Sequence, residues 1–222
     1  MAIGNSVGKV KGARLIDEER PQPADDDFRA ISLHIGLPDA LRAQAARLYW
    51  QAFGEKLGRV MGPDDRAHAY LCRVIRADHA IVALDAGGTL LGLVGFKTPE
   101  GSFAGGGLGD LVGIYGLFGG LWRSTLLRLL QREVDNDRFL LDGICVSAAA
   151  QGRGVGTALI EAVCDEAQAR GYPAVRLDVI DTNTRARALY ERRGFVAACS
   201  EPLGPLRHVF GFDAAIMMVR KV

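Results

Sequence analysis

The stretch that decides the fold of this chain reads VSAAAQGRGVGTALIEAV and covers residues 146–163. Three alternate positions are glycine (Gly152, Gly154 and Gly156), and the apolar residues that follow recur at helical spacing. Because the preceding run FLLDGICV (139–146) is typical of a strand, the glycines lie in a strand-to-helix turn. Such a turn presents backbone N–H groups at the positive end of the helix dipole, and residues without Cβ let an anion approach them. The stretch predicts a phosphate-binding turn, although a plain tight turn would use the same residues.

Two common phosphate motifs do not fit this turn. A P-loop requires G-x-x-x-x-G-K-[ST], and no Lys follows Gly156. The dinucleotide fingerprint G-x-G-x-x-G lacks its third glycine, because Thr157 or Leu159 stands in that place. Only about 60 residues follow the turn, so a dinucleotide site would also lack its second half. Nucleotide hydrolysis and dinucleotide binding are both disfavoured.

The pattern Q-x-x-G-x-G fits better. It is formed by QGRGVG (151–156) and resembles the acyl-CoA signature of the GNAT superfamily of N-acyltransferases. A second segment, NTRARALYERRGF (183–195), is similar to the N-x-x-A-x-x-L-Y-x-x-x-G-F pattern of that superfamily. The specific motifs cover 139–200, and the order of elements is similar over roughly 30–220. The chain departs from the family at Ala148, where members often carry Pro.

The resemblance implies an α/β fold with a GNAT-like mixed, mostly antiparallel twisted β-sheet flanked by helices on both faces. Hydrophobic periodicity independently predicts two helices from Pro38 and Pro63, a hairpin within 80–96, and alternating strands and helices from Phe139 onward. Residues 1–27 are predicted to be an N-terminal extension. Residues 28–222 are predicted to be the acyl-CoA N-acyltransferase domain, with an insertion at about 98–138.

The insertion is rich in glycine and aromatic residues and ends in WRSTLLRLLQREV (122–134), which predicts a short amphipathic helix. A basic amphipathic helix can lie on a membrane surface or bind a partner. The favoured interpretation is that its apolar face packs on the domain, while the glycines shape a loop over a pocket.

The resemblance also implies how acetyl-CoA, as cosubstrate, would be held. Backbone N–H groups from about Gly152 to Thr157 would bind the pyrophosphate, with added charge from Arg153, and the main chain of Val146 would bind the pantetheine arm. Asn183 could touch the CoA arm or cap the second helix, and capping is favoured. The predicted cofactor-binding residues are Val146, Gln151, Gly152, Arg153, Gly154, Val155, Gly156, Thr157 and Asn183.

The implied reaction is direct attack of a neutral amine on the thioester, which needs a base for the ammonium proton and an acid for the CoA thiolate. Tyr190 matches the tyrosine acid of the family, but it could also be a buried aromatic residue of an amphipathic helix. Strand alternation predicts that Asp142 shares a face with Val146, where it could be the base or, equally, an ion-paired carboxylate. Cys145 has no His nearby in sequence and is expected to be a packed, unreactive thiol.

Composition excludes several other classes. With 27 basic and 26 acidic residues the net charge is +1, which gives no electrostatic footprint for nucleic acid. The four cysteines and four histidines are scattered, so we expect no metal site and no disulfide framework. Without a signal-like segment or a run of about 18 apolar residues, no membrane span is expected and a cytoplasmic location is favoured.

The sequence thus predicts an acetyl-CoA-dependent N-acetyltransferase that acts on a primary amine of a small molecule or peptide. The last strand or the insertion could support a homodimer. One alternative is a non-catalytic acyl-CoA-binding or regulatory module. Another is a membrane-surface or partner-binding protein that acts through residues 103–134.

Overall fold

A computed structural model describes residues 31–130 and 138–222. The predicted extension 1–27 and residues 131–137 of the insertion lie outside the described residues. The strands are β1 Ser32–Ile35, β2 Ala80–Leu84, β3 Leu90–Thr98, β4 Gly101–Ser102, β5 Phe139–Val146, β6 Ala174–Ile180, β7 Val196–Pro202 and β8 Ala214–Lys221. The α-helices are α1 Arg42–Met61, α2 Asp64–Val74, α3 Leu108–Leu130, α4 Val155–Ala169, α5 Thr184–Arg192 and α6 Arg207–Phe210.

The strands form one sheet in the order β1-β2-β3-β5-β6-β8-β7, with β4 paired to β3. Among the described strands, only β5 and β6 run parallel. One apolar core lies between the sheet and α1, α2 and α3, and a second lies between the sheet and α4. The predicted mixed, mostly antiparallel sheet with helices on both faces is confirmed.

The two central strands separate halfway along their length. Their backbone pairing covers Phe139–Leu141 of β5 and Val175–Leu177 of β6. Beyond these residues β5 continues to pair with β3, and β6 continues to pair with β8. A gap therefore opens in the middle of the sheet, at the carboxyl ends of both strands, and this gap positions the site described below.

Helix α3 begins 14 residues earlier than the predicted helix, at Leu108 rather than Trp122. The helical pattern is interrupted at Gly116, whose backbone is not helical (φ 74°, ψ 172°). The two halves approach each other closely, because a Cβ at Gly120 would lie 2.7 Å from the backbone nitrogen of Val112. Glycine is a poor helix former, so the pattern of the sequence did not predict the first half of this helix. In α3, Gly116 permits a kink and Gly120 permits a close contact between the two halves, and neither residue forms a loop.

One face of α3 packs on the domain, as the favoured interpretation of the insertion predicted, whereas Gly109, Gly113, Gly116, Gly119 and Gly120 lie within the helix and not in the predicted loop. The residues of α3 that join the core beside α1 and α2 are Leu111, Ile114, Tyr115, Leu126 and Leu127. The Tyr115 hydroxyl also donates a hydrogen bond to the Met61 carbonyl at the end of α1. The opposite face leaves large apolar side chains exposed, namely Leu117, Phe118, Leu121 and Trp122.

Candidate active site

Two residues of the glycine-rich turn adopt the left-handed backbone conformation that favours glycine. Gly152 has φ 78° and Gly154, the N-cap of α4, has φ 84°. The first backbone hydrogen bond of α4 joins the Ala158 N–H to the Gly154 carbonyl (3.0 Å). The N–H groups of residues 155–157 therefore precede the hydrogen-bonded helix, as expected at an N-terminus. This end of α4 can bind an anion.

The three glycines of the turn differ in their surroundings. A Cβ at Gly152 or Gly154 would have no protein atom within 4 Å, whereas a Cβ at Gly156 would lie 3.6 Å from Leu189 and 3.7 Å from Val146. The first two glycines thus border open space, and the third packs between α5 and β5. Only at Gly152 and Gly154 can the absence of a Cβ let a ligand approach the main chain.

Polar side chains connect the turn to α5. The Gln151 carboxamide oxygen accepts a hydrogen bond from Arg185 (3.3 Å). Arg153 is an exposed residue of the turn itself. Arginine side chains at this end of α4 can add positive charge for an anion.

Asn183 is the N-cap of α5, as the sequence favoured. Its side-chain oxygen accepts a hydrogen bond from the Ala186 N–H (3.1 Å). This contact satisfies one of the N–H groups left without a partner at the start of the helix. The side chain also borders the cavity described next.

A cavity of about 670 Å³ occupies the gap between β5 and β6. Its walls come from α1, α2, α3, both central strands and α5. Asp142, Asn183 and Tyr190 are brought together in this lining, whereas Val146 and the glycine-rich turn are not part of it. The predicted site residues therefore divide into a cavity group and a turn group.

Tyr190 lies at the cavity wall with 6% of its surface exposed. Its ring packs edge-on against Phe195 at a centroid distance of 5.9 Å. Burial raises the pKa of the Tyr190 hydroxyl to about 12, because the phenolate would lose its hydration. The phenol therefore keeps its proton at neutral pH, as a proton donor requires.

Asp142 occupies a β-bulge, which the sequence did not predict. In the ladder between β3 and β5, Gly95 pairs with Gly143 but Phe96 pairs with Leu141. Asp142 is the extra residue between them. A bulge of this kind changes the direction of the side chains around it.

Because of the bulge, Asp142 lies on the other face of the sheet from the one predicted. Its carboxylate accepts a hydrogen bond from the Ala104 N–H and lies near Tyr49, on the side of the sheet covered by α1. Val146 packs instead with the core beneath α4, on the other side. Strand alternation placed both residues on one face, and this prediction was wrong because the extra residue shifts the alternation.

The cavity changes the acidity of the Asp142 carboxyl group. The side chain is accessible from the cavity, but protein surrounds it, and this desolvation raises the pKa of Asp142 above the ordinary value of an aspartate. The Lys97 ammonium and the Ala104 N–H act in the opposite direction without cancelling the effect. Burial, and to a smaller extent the same carboxylate, raise the pKa of the Tyr49 hydroxyl. Asp142 is thus a stronger base than an ordinary aspartate.

Cys145 is 4% exposed, and burial raises the pKa of its thiol to about 12. It is a free, packed cysteine, as expected, because a thiol with so high a pKa is not a nucleophile at neutral pH.

Sequence reasoning missed three residues of the cavity wall, namely Tyr49, Phe53 and Lys97. The two rings of α1 lie 4.5 Å apart between centroids. The Phe53 ring packs closely on β5 because Gly143 has no side chain. A Cβ at Gly143 would lie 2.9 Å from this ring. Lys97 is the one charged residue of β3 and follows seven apolar residues (90–96), and this contrast is a signal that could have identified it.

Two further features of the described residues concern metal ions and membranes. Within residues 31–130 and 138–222, no three His, Cys, Asp or Glu residues lie close enough to hold a metal ion. No helix in the same residues combines the length and the apolar character that a membrane crossing requires.

Solved structures share this fold. The N-acetyltransferase from Staphylococcus aureus Mu50 superposes with a TM-score of 0.62 at 16% identity, covering 85% of this chain and 99% of that one. A GCN5-related N-acetyltransferase from Kribbella flavida gives a TM-score of 0.56 at 19% identity, covering 87% and 98%. At these identities the likeness concerns the fold.

Two curated relatives match over short segments. A mycothiol acetyltransferase of Beutenbergia cavernae is 52% identical over 50 residues, which are 22% of this chain and 17% of that protein. A mycothiol acetyltransferase of Jonesia denitrificans is 43% identical over 68 residues, which are 28% and 22%. The chain thus aligns with about a fifth of the length of either relative.

A family model decides the assignment. The model of the acetyltransferase (GNAT) family matches residues 42–195, from the first residue of α1 to the end of the second sequence motif. This range is more than half of the chain and contains the glycine-rich turn, the cavity residues of β5 and Tyr190. The chain belongs to the GNAT acetyltransferase family.

Proposed function

We propose that this acetyltransferase transfers the acetyl group of acetyl-CoA to a primary amine by direct attack. The observation that carries the proposal is the separation of β5 and β6 beyond Leu141 and Leu177. It leaves one backbone edge of β5 without a strand partner, between the N-terminal end of α4 and a cavity lined by Asp142 and Tyr190.

In this proposal the turn holds the pyrophosphate of acetyl-CoA. The N–H groups from Gly152 to Thr157 donate hydrogen bonds, and the open space beside Gly152 and Gly154 supports a close approach of phosphate oxygens. Arg153 contributes charge, while Gln151 steadies the turn through Arg185. The remaining glycine, Gly156, acts by packing.

The pantetheine arm pairs with the unpaired edge of β5. Its amides are hydrogen-bonding groups like those of a peptide, so main-chain groups near Val146 can pair with them as a neighbouring strand would. The thioester then reaches the cavity through the gap between β5 and β6. A backbone N–H of this edge stabilises the oxyanion that forms on the thioester carbonyl.

The chemistry divides between two cavity residues. The amine nitrogen attacks the thioester carbon, and the new N–C bond leaves a proton on nitrogen that passes to the Asp142 carboxylate. When the C–S bond breaks, Tyr190 donates its phenolic proton to the CoA thiolate. The products are an N-acetylated amine and free CoA. The raised pKa of Asp142 suits the base, and the protonated phenol suits the acid.

A non-catalytic acyl-CoA-binding module is the second candidate. It would need the turn but not a base and an acid in the cavity. The presence of Asp142 and Tyr190 in one lining favours the enzyme. The short alignments with mycothiol acetyltransferases do not select an acceptor, because they cover so little of either protein.

A screen of primary amines with acetyl-CoA, read as free thiol released, tests the proposal. The enzyme should release CoA only when an acceptor amine is present, and Tyr190→Phe should slow the release. Stabilisation by acetyl-CoA without turnover of any amine would favour the binding module. Absence of any thermal stabilisation by acetyl-CoA would overturn both candidates.

A further inference from the structure

Asp142 and Lys97 lie on neighbouring strands and on the same face of the sheet. In the ladder between β3 and β5, Lys97 pairs with Leu140, and Phe96 pairs with Leu141. Phe96 and Leu141 both belong to the core beneath α4. Successive residues of a strand alternate between faces and paired residues share one, so Lys97 and Leu140 lie on the face covered by α1. The Asp142 carboxylate lies on this face too, and both charged residues border the cavity.

The backbone of Lys97 is held between two strands. It pairs with Leu140 of β5 on one side and with Ser102 of β4 on the other. Its side chain is half-buried. The ladder therefore fixes the origin of the Lys97 side chain diagonally across from Asp142.

The Asp142 carboxylate needs a positive neighbour because aromatic rings cover its strand. A Cβ at Gly143, the next residue, would lie 3.3 Å from the Tyr49 ring and 2.9 Å from the Phe53 ring. A carboxyl group that loses water to such a surface is driven towards its neutral form. The Lys97 ammonium acts against this effect, since an opposite charge favours the ionised carboxylate.

Other titratable groups lie around Asp142 on this face of the sheet. Those that burial keeps neutral at pH 7, by raising the pKa, are Tyr49 of α1, Tyr70 of α2, Cys145 of β5 and Tyr190 of α5. The other charged residues in the described lining are Arg128 of α3, which is exposed, and Asp178 of β6, which lies 3.4 Å from Arg176. Lys97 is thus the cation that the ladder places beside the carboxylate.

We propose that Lys97 is a positioning residue of the reaction, which keeps Asp142 in the carboxylate form that accepts the amine proton. The inference rests on the proposed acetyl transfer and adds a residue to it. Without the ammonium, burial would leave more of the carboxyl group protonated before the amine attacks. After the transfer, the same charge favours release of the proton from Asp142 to solvent. Burial strengthens the base, and Lys97 keeps it available.

Kinetics of a charge-removing variant test this role. Lys97→Met keeps a side chain of similar length but loses the charge, so the acidic limb of kcat/KM should move to higher pH. On that limb kcat/KM should be at least about 3-fold below the wild type, and on the alkaline plateau it should be within about 2-fold. Lys97→Arg should restore the profile. The acceptor is the primary amine with the highest kcat/KM in the screen described above, and its own ionisation cancels in the ratio of variant to wild type.

A titration without any amine gives a second readout. In ¹³C NMR of protein labelled at the aspartate carboxyl carbons, Asp142→Asn identifies the Asp142 signal. This signal should titrate at higher pH in Lys97→Met than in the wild type or in Lys97→Arg. Lys221→Met is the matched control, because it removes the same charge from an exposed position of β8 outside the cavity lining, and it should change neither readout.

The two readouts separate the ways in which the inference can fail. An unmoved NMR titration with a loss of kcat/KM that is equal at every pH would make Lys97 a structural residue and leave the proposed acetyl transfer intact. A moved titration with an unmoved kinetic limb would overturn the inference and the role of Asp142 as base. Equal shifts in Lys221→Met would show a general charge effect and overturn the inference alone. A wild type that acetylates no primary amine would overturn the proposed transfer itself, and the inference with it.

Discussion

Leu141 of β5 and Leu177 of β6 form the last residue pair between the two central strands. After this pair each strand keeps its other neighbour, so the sheet is continuous at one end and divided at the other. The next residues along the chain are Asp142 and Asp178, and both border the cavity. The end of the ladder thus places both aspartates at the cavity.

The first prediction concerns the turn. Gly154→Ala should weaken binding of acetyl-CoA by at least about 10-fold, equivalent to ~1.4 kcal/mol. The new Cβ would project into the open space that the pyrophosphate is proposed to occupy. Isothermal titration calorimetry with acetyl-CoA measures the effect.

Gly171 at the other end of α4 provides the matched control. It has φ 80°, close to the 84° of Gly154, and a Cβ there also meets no protein atom within 4 Å. Both alanine variants should lose about 1 kcal/mol of stability from the left-handed backbone. Only Gly154→Ala should lose affinity. Equal affinity in both variants would contradict the role of the turn.

The second prediction concerns Tyr190. Tyr190→Phe removes the phenolic proton while keeping the ring against Phe195, so the packing at 5.9 Å is preserved. We expect kcat to fall by about 100-fold, within the usual range for general acid catalysis, with the Kd of acetyl-CoA changed by less than about 2-fold. Steady-state kinetics and calorimetry on the same preparation separate the two effects. A similar fall in both quantities would make Tyr190 a packing residue.

The third prediction concerns the stability contributed by Asp142. Its folded-state pKa is raised above the unfolded value of about 3.8, so the folded state favours the protonated form. The associated stability is complete below the unfolded pKa and is lost as pH rises through the folded pKa. Asp142→Asn does not titrate, so its free energy of unfolding should exceed that of the wild type at pH 7 and the excess should shrink towards pH 3. Urea unfolding at several pH values measures the difference.

The same variant should lose activity where it gains stability. If Asp142 accepts the ammonium proton, kcat/KM of the wild type should rise with pH through the raised pKa, and Asp142→Asn should lack this limb. Measuring both proteins with one amine removes the ionisation of the amine from the comparison. Identical pH profiles would show that another group, or solvent, takes the proton.

The parts of the site that the sequence predicted are those determined by neighbouring residues. The glycine-rich turn between β5 and α4, the start of α4 and the Asn183 cap all follow from residues within a few positions. Short-range backbone preferences decide these features, so they can be identified in a single sequence.

The parts that the sequence did not predict depend on contacts between distant segments. The bulge at Asp142 exists because β3 and β5 pair with a shifted register, and no local pattern indicates that shift. All four residues of strand β1 are exposed, so no alternation of buried and exposed residues indicates a strand there. The early start of α3 depends on the contact of Gly120 with Val112, which helix propensity alone opposes.

The last prediction tests the two faces of α3. Leu111 is 3% exposed in the core beside α1 and α2, whereas Phe118 is 85% exposed on the other side of the kink. Leu111→Ala should therefore lower the free energy of unfolding by about 2–5 kcal/mol, and Phe118→Ser should change it by less than about 0.5 kcal/mol. Urea denaturation of both variants gives the values. Comparable losses of stability in the two variants would contradict the assignment of the buried face.

Sedimentation with anionic lipid vesicles addresses the membrane-surface alternative. That alternative requires that the wild type binds vesicles and that Phe118→Ser abolishes this binding. We expect no vesicle binding by the wild type, because the helix already packs one face on the domain.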